Sequence, residues 1–130
     1  MRLLLDTHVW LWLQSATRRI DEDVRAILAD PRHELWLSMA SVWEIALKFG
    51  LGKLDLPEAP EAYLPDRMRR SGVTTLAIEF AHAVRVASLP HHHRDPFDRM
   101  LIAQALTEEL TIVTADPRFE AYGVNQLPVR

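Results

Sequence analysis

Residues 2–14 read RLLLDTHVWLWLQ. Three leucines stop abruptly on Asp6, and a second apolar run follows at once with Val9, Trp10, Leu11, Trp12 and Leu13. A short apolar run closed by a carboxylate reads as a buried strand, residues 3–5, that reaches a polar edge. The run behind it reads as a buried helix over 8–14, capped by Thr7 or Asp6. The same pattern returns near the other end of the chain. Thr111, Ile112, Val113 and Thr114 form a β-branched strand, and Asp116-Pro117 follows. Strands that end on an acid and open into helix are the repeating unit of parallel α/β sheets.

The chain between these two segments keeps the alternation. Residues 21–30 are amphipathic, with Val24, Ile27 and Leu28 on one side, and Pro31 follows the helix end. Residues 35–37 make a second strand. Residues 40–49 make an apolar helix that Gly50 stops, and 51–60 a loop punctuated by Gly52, Pro57 and Pro60. A helix over 62–70 contains Pro65, and a strand over 73–76 follows. Residues 79–88 are helical up to Pro90, 91–94 are loop, and Asp95-Pro96 opens a helix to about residue 108. A last edge strand is expected over 124–129, where Pro128 is tolerated. This predicts a three-layer α/β/α sandwich around a parallel sheet of four to five strands, with any ligand at the carboxyl ends of the strands.

The 130 residues are 48% hydrophobic and 25% charged, which fits one globular domain over 1–130 and excludes disorder as the main state. There is no cysteine, so disulfide scaffolds, iron–sulfur sites and thiol nucleophiles are excluded, and a cytoplasmic setting is expected. No apolar run is long enough to span a membrane, and Asp6 comes too early for a signal peptide. A net charge of −3 argues against general, charge-driven binding of nucleic acid but allows a local basic rim. Of the 15 basic residues only Lys48 and Lys53 are lysine; the rest are arginine, which suits phosphate.

Four acids stand in apolar surroundings: Asp6, Glu44, Asp98 and Asp116. Each has an ordinary structural explanation. Asp6 and Asp116 sit at N-cap positions, Glu44 is four residues before Lys48, and Asp95-Pro96-Phe97-Asp98 is a cap with an acid in the first turn. The topology changes the weighing. Asp6 and Asp116 emerge at one edge of the sheet, and the helices bearing Glu44 and Asp98 reach the same edge. Converging carboxylates repel, raise their pKa values or recruit a cation, and hard oxygen ligands suit Mg²⁺ or Mn²⁺.

The segments LLLDTH (3–8), SVWEI (41–45), RDPFDRMLIA (94–103) and IVTADP (112–117), in this order, resemble the PIN domain family, and within it the VapC-type ribonuclease toxins of toxin–antitoxin pairs. The resemblance covers 3–122. It implies an acidic pocket holding one or two Mg²⁺ or Mn²⁺ ions and endonucleolytic hydrolysis of RNA to 5′-phosphate and 3′-hydroxyl ends. It also implies inhibition by a cognate antitoxin, and homodimerisation. The family's pocket acids fall on Asp6, Glu44, Asp98 and Asp116. On this resemblance Asp6, Asp98 and Asp116 are the expected metal ligands, and Glu44 either binds metal or orients the attacking water. The family's hydroxyl falls on Thr114. Asp95 is an extra acid that competes with Asp98 for the third place.

Arg94 and Arg99 flank the start of the acidic helix and are expected to contact phosphate or orient a carboxylate. Adjacent histidines seldom converge on one ion, so His91, His92 and His93 are expected at an RNA-facing rim and not as ligands. Arg67, Arg69 and Arg70 are expected on a solvated face. The four tryptophans are expected mainly in the core, although Trp10 and Trp12 cannot share a helix face. A phospho-accepting receiver domain would need a lysine ending a late strand, and a haloacid-dehalogenase phosphatase would need Asp-x-Asp where this chain has Asp6-Thr7-His8. A P-loop is absent. The remaining alternative is a PIN-like module that binds RNA or a partner without cleaving, which a broken acidic set would mark.

Overall fold

A computed structural model describes all 130 residues. Five strands, β1 (Arg2–Leu5), β2 (Glu34–Ser38), β3 (Thr74–Leu76), β4 (Thr111–Thr114) and β5 (Gln126–Pro128), form one sheet in the order β3-β2-β1-β4-β5. Every pairing is parallel, with Leu4 opposite Trp36 on one side and opposite Ile112 on the other. Six α-helices connect them: α1 (Thr7–Ser15), α2 (Glu22–Ala29), α3 (Met39–Gly50), α4 (Pro60–Ser71), α5 (Phe80–Arg85) and α6 (Pro96–Glu108). The expected α/β/α sandwich is present, with five strands.

The three leucines of β1 are fully buried because both sheet faces are covered. Alternation divides them between two cores. Leu3 and Leu5 pack with Leu35, Leu37, Val113, Val9 and Trp10 on the α1 face. Leu4 packs with Ile112, Leu101, Ile102 and Phe119 on the α6 face. From β1 the chain moves outward to β2 and β3, then returns across the sheet to β4. The order therefore reverses between β1 and β4, and their carboxyl ends flank the crevice where open α/β sheets bind ligands.

Several local expectations are corrected. Gly50 lies inside α3, and the positive φ that ends the turn belongs to Gly52. Pro60 opens α4 at its first turn, where the missing N–H costs nothing, so the preceding loop is shorter. The helix expected over 79–88 is α5 plus a 3₁₀ turn, Val86–Ser88. Its tightening has a cause: the Arg99 guanidinium takes the carbonyls of Val86, Leu89 and Pro90. Asp6 holds the N-cap position of α1 but its side chain makes no cap bond. Among the tryptophans Trp10 is buried and Trp12 half-buried, as their spacing requires, but Trp43 is 60% exposed. Arg69 and Arg70 are exposed and pair with Asp66, as a solvated face should, but Arg67 is half-buried, lying over the Tyr63 ring while it pairs with the same acid.

Helix α6 ends on Glu109, which is exposed and left-handed at φ 56°. A side chain there is strained where glycine is not. Glu109→Gly is expected to stabilise the protein by about 0.5–1 kcal/mol, read as a raised urea midpoint at constant m-value. A lowered midpoint would show that the position is not strained.

Candidate active site

Asp6 is placed by β1. Its N–H continues the ladder to Val113 O, so its side chain is delivered into the crevice beside β4. Thr114, the last residue of β4, donates its hydroxyl to Asp6 Oδ2 at 2.7 Å. Both residues are buried. Glu44 lies on the inner side of α3 and is 2% exposed. Ser38 caps α3 through Ala40 N and also donates to Gln104 Oε1 of α6 at 2.5 Å, so the helices bearing Glu44 and Asp98 are tied together. Asp95 caps α6 by accepting the N–H groups of Phe97 and Asp98, which leaves Asp98 in the first turn facing the crevice. Asp116 caps the 3₁₀ turn Pro117–Tyr122 through Arg118 N.

The four acids share one electrostatic site. Burial pushes the Asp98 carboxyl up to about 8, and the charges of Asp6, Asp95, Glu44 and Asp116 push the same way. Burial also raises Asp6; the Thr114 hydroxyl and His8 hold it back, and Glu44 adds to it. For Asp116 burial acts upward but is outweighed by the Arg118 fork, at 2.9–3.2 Å, which holds the carboxyl below the usual carboxylate range. Glu44 Oε2 accepts from Lys48 Nζ at 2.5 Å. Lys48 and Arg118 are thus the cations that meet the set, and Arg118 was not anticipated. Its cue is the spacing Asp-Pro-Arg, which lets an arginine fork back onto a capping aspartate two residues earlier.

A cation fits these donors. Asp6 and Glu44 each have one oxygen in a strong hydrogen bond, while Asp6 Oδ1 and Glu44 Oε1 are buried with no partner. Orphaned buried carboxylate oxygens are costly unless something cationic meets them. The donors are oxygens without thiols, which suits Mg²⁺ or Mn²⁺.

Two expectations fail. Arg99 does not face phosphate or a carboxylate. It is 8% exposed and its guanidinium is spent on backbone carbonyls and on Tyr122 Oη, bracing the loop ahead of α6. The sequence places it beside acids, but the helical step of about 100° from Asp98 turns it towards the carbonyls of Val86, Leu89 and Pro90. His93 is not at the rim: it is buried, with Nε2 2.8 Å from Asp98 Oδ2. His91, His92 and Arg94 are exposed, and with His93, Asp95 and Arg118 they line a polar cavity of about 350 Å³ beside the acids.

The PIN domain model matches residues 3–125. The chain belongs to the PIN domain family. This PIN domain is 50% identical over 60 residues to Ribonuclease VapC16 of Mycobacterium tuberculosis, a stretch covering 46% of this chain and 43% of that protein. In fold it is similar to VapBC2 from Rickettsia felis bound to a promoter DNA fragment, with TM-score 0.76, 14% identity and all of both chains covered. It is also similar to DNA-bound VapBC from Salmonella typhimurium, with TM-score 0.75, 18% identity and 98% of each chain covered.

Asp98 gives a prediction whose sign is fixed. Its folded pKa lies above the unfolded value, about 4, so the metal-free protein loses stability as pH rises from there towards about 8. Asp98→Asn removes that loss. In chelator its melting temperature should match the parent near pH 4 and exceed it increasingly up to pH 8, and Mg²⁺ should no longer raise it. Asp95→Asn should keep the cap, because asparagine caps as well as aspartate, and should gain stability only as the pH approaches 8, by less than Asp98→Asn, because it removes one of the charges that crowd Asp98. A constant Asp98→Asn offset across the pH range would contradict the crowding.

Proposed function

We propose that this PIN domain is a metal-dependent endoribonuclease, acting in the cytoplasm as the toxin of a toxin–antitoxin pair. The observation that carries the metal-dependent reading is the pair of orphaned, buried oxygens on Asp6 and Glu44 beside Asp98 and Asp116. The name of the relative, Ribonuclease VapC16, supports RNA as the substrate, and the VapBC assemblies that share the fold support a partner protein.

Asp6, Asp98 and Asp116 are the metal ligands in this reading. Bound there, Mg²⁺ or Mn²⁺ supplies charge neutralisation and Lewis-acid activation for phosphodiester hydrolysis. Thr114 fixes the Asp6 carboxylate so that one oxygen is committed and the other is free. Glu44, steadied by Lys48, offers its free Oε1 to the metal or to the attacking water. Arg94 is exposed and makes no ion pair, so it is available to a phosphate of the incoming strand; Arg118 stands across the same cavity. Asp95 holds the start of α6 and so places Asp98. The non-cleaving alternative loses support because all four acids are present and brought together.

No helix is long and apolar enough to cross a membrane. Met39, Trp43, Leu47 and Leu51 expose apolar surface along α3 and its end, and Phe80 is 85% exposed on α5. Apolar surface of this kind is suited to a second copy of the chain or to the antitoxin.

Cleavage of a random-sequence RNA pool is expected to need Mg²⁺ or Mn²⁺ and to stop in EDTA. Asp6→Asn should lower the rate ~10²-fold or more while melting no lower than the parent in chelator. Full activity in EDTA would refute the metal-dependent reading, and an active Asp6→Asn would remove Asp6 from the site.

Inhibition by the cognate antitoxin is expected to work through an arginine or lysine that enters the acidic pocket. Replacing the basic residues of its docking segment with alanine should relieve inhibition more than it weakens binding. Undiminished inhibition would place the block outside the pocket.

A further inference from the structure

His93 lies in the loop before α6 and its side chain is 3% exposed, unlike those of the exposed His91 and His92. The loop is anchored by Arg99, whose guanidinium reaches the carbonyls of Pro90 and, at 3.5 Å, His93. The ring meets Phe119 edge-on, with centroids 6.1 Å apart. Its Nδ1 accepts the backbone N–H of Asp95 at 3.2 Å. A nitrogen that accepts an N–H bears the lone pair, so the ring proton sits on Nε2. That Nε2 lies 2.8 Å from Asp98 Oδ2 and 3.5 Å from Asp116 Oδ2, aligned on neither and with no other partner.

Distance alone would make His93 a ligand. One donor atom each from His93, Asp98 and Asp116 lie within 4.8 Å of one another. The tautomer opposes this. An imidazole that ligates through Nε2 needs its lone pair there and its proton on Nδ1, where an acceptor normally receives it. Here Nδ1 faces a donor.

We propose that His93 is a positioning residue of the acidic centre: its Nε2–H lies between Asp98 Oδ2 and Asp116 Oδ2 and holds the two carboxylates at the spacing a cation needs, and His93 itself is not a ligand. The role rests on the metal-dependent reading of the pocket. It also gives the segment HHHRDPFD a reason beyond capping. The residue two before the capping aspartate receives that aspartate's own N–H, so the turn that starts α6 also sets the histidine tautomer.

The test measures binding of Mg²⁺ and of Mn²⁺ to the metal-free protein by calorimetry, without RNA. His93→Asn keeps an acceptor for the Asp95 N–H but has nothing at the Nε2 position, whereas His93→Gln can place an amide N–H there. His93→Asn is expected to weaken both ions by a similar factor, about 10–100-fold, and His93→Gln to recover most of it. Unchanged binding in His93→Asn would overturn the role. So would a loss confined to Mn²⁺ that glutamine does not restore, since a nitrogen ligand favours Mn²⁺ over Mg²⁺. Should His93→Asn fail to fold, His93→Gln decides alone: an unchanged Mn²⁺-to-Mg²⁺ ratio supports positioning and a collapsed ratio shows ligation. A parent protein that binds neither ion would overturn the metal-dependent reading and this role with it, whereas binding insensitive to His93 overturns the role alone.

Discussion

Thr114 and Asp6 meet across the reversal point of the sheet, hydroxyl to carboxylate at 2.7 Å, and neither is open to solvent. Much else in the site answers to that contact. Three fully buried leucines in a central strand leave the chain no freedom over where Asp6 comes out. Burial raises its pKa, and one hydroxyl cannot satisfy two carboxylate oxygens. Glu44 and Asp98 then arrive on two helices held together by Ser38 and Gln104, which adds like charge to a site already short of water. The strain is electrostatic, and a cation bound among these oxygens would relieve it.

The protein's own cations stand at the edge of this group. Lys48 meets Glu44 from one turn away on α3, and Arg118 forks onto Asp116 from two residues away. Each satisfies one acid and leaves the centre negative. Arg99, the basic residue closest in sequence to Asp98, is withdrawn from the pocket to hold backbone carbonyls. Its work is mechanical: it fixes the loop that presents His93. A buried arginine with its donors on carbonyls does not have to compete with a divalent ion for carboxylates.

Helix α3 has two opposed demands. Its inner side carries Glu44, 2% exposed, and Ile45 in the core; its outer side carries Trp43, 60% exposed, edge-on to Phe97 at 5.0 Å. Successive residues therefore divide between acid centre, core and an apolar rim. That explains why the segment looks apolar throughout yet is not simply a core helix.

The sequence by itself determined the alternation of strands and helices, the parallel sheet and which acids stand in apolar surroundings. Local rules suffice for these: apolar runs ending on Asp6 and after Thr114, prolines at first turns, a cap at Asp95. It also allowed Asp6 to be read either as a cap or as one of a cluster of acids, and only the tertiary structure shows that its carboxylate makes no cap bond and instead accepts from Thr114, 108 residues away. The same holds for Arg99 and His93. Both sit beside the acids in sequence, yet one faces away and the other inward, because helix rotation and loop anchoring set side-chain direction. Charge convergence, the histidine tautomer and the orphaned oxygens are properties of distances between elements, and no local pattern in the chain encodes those distances directly.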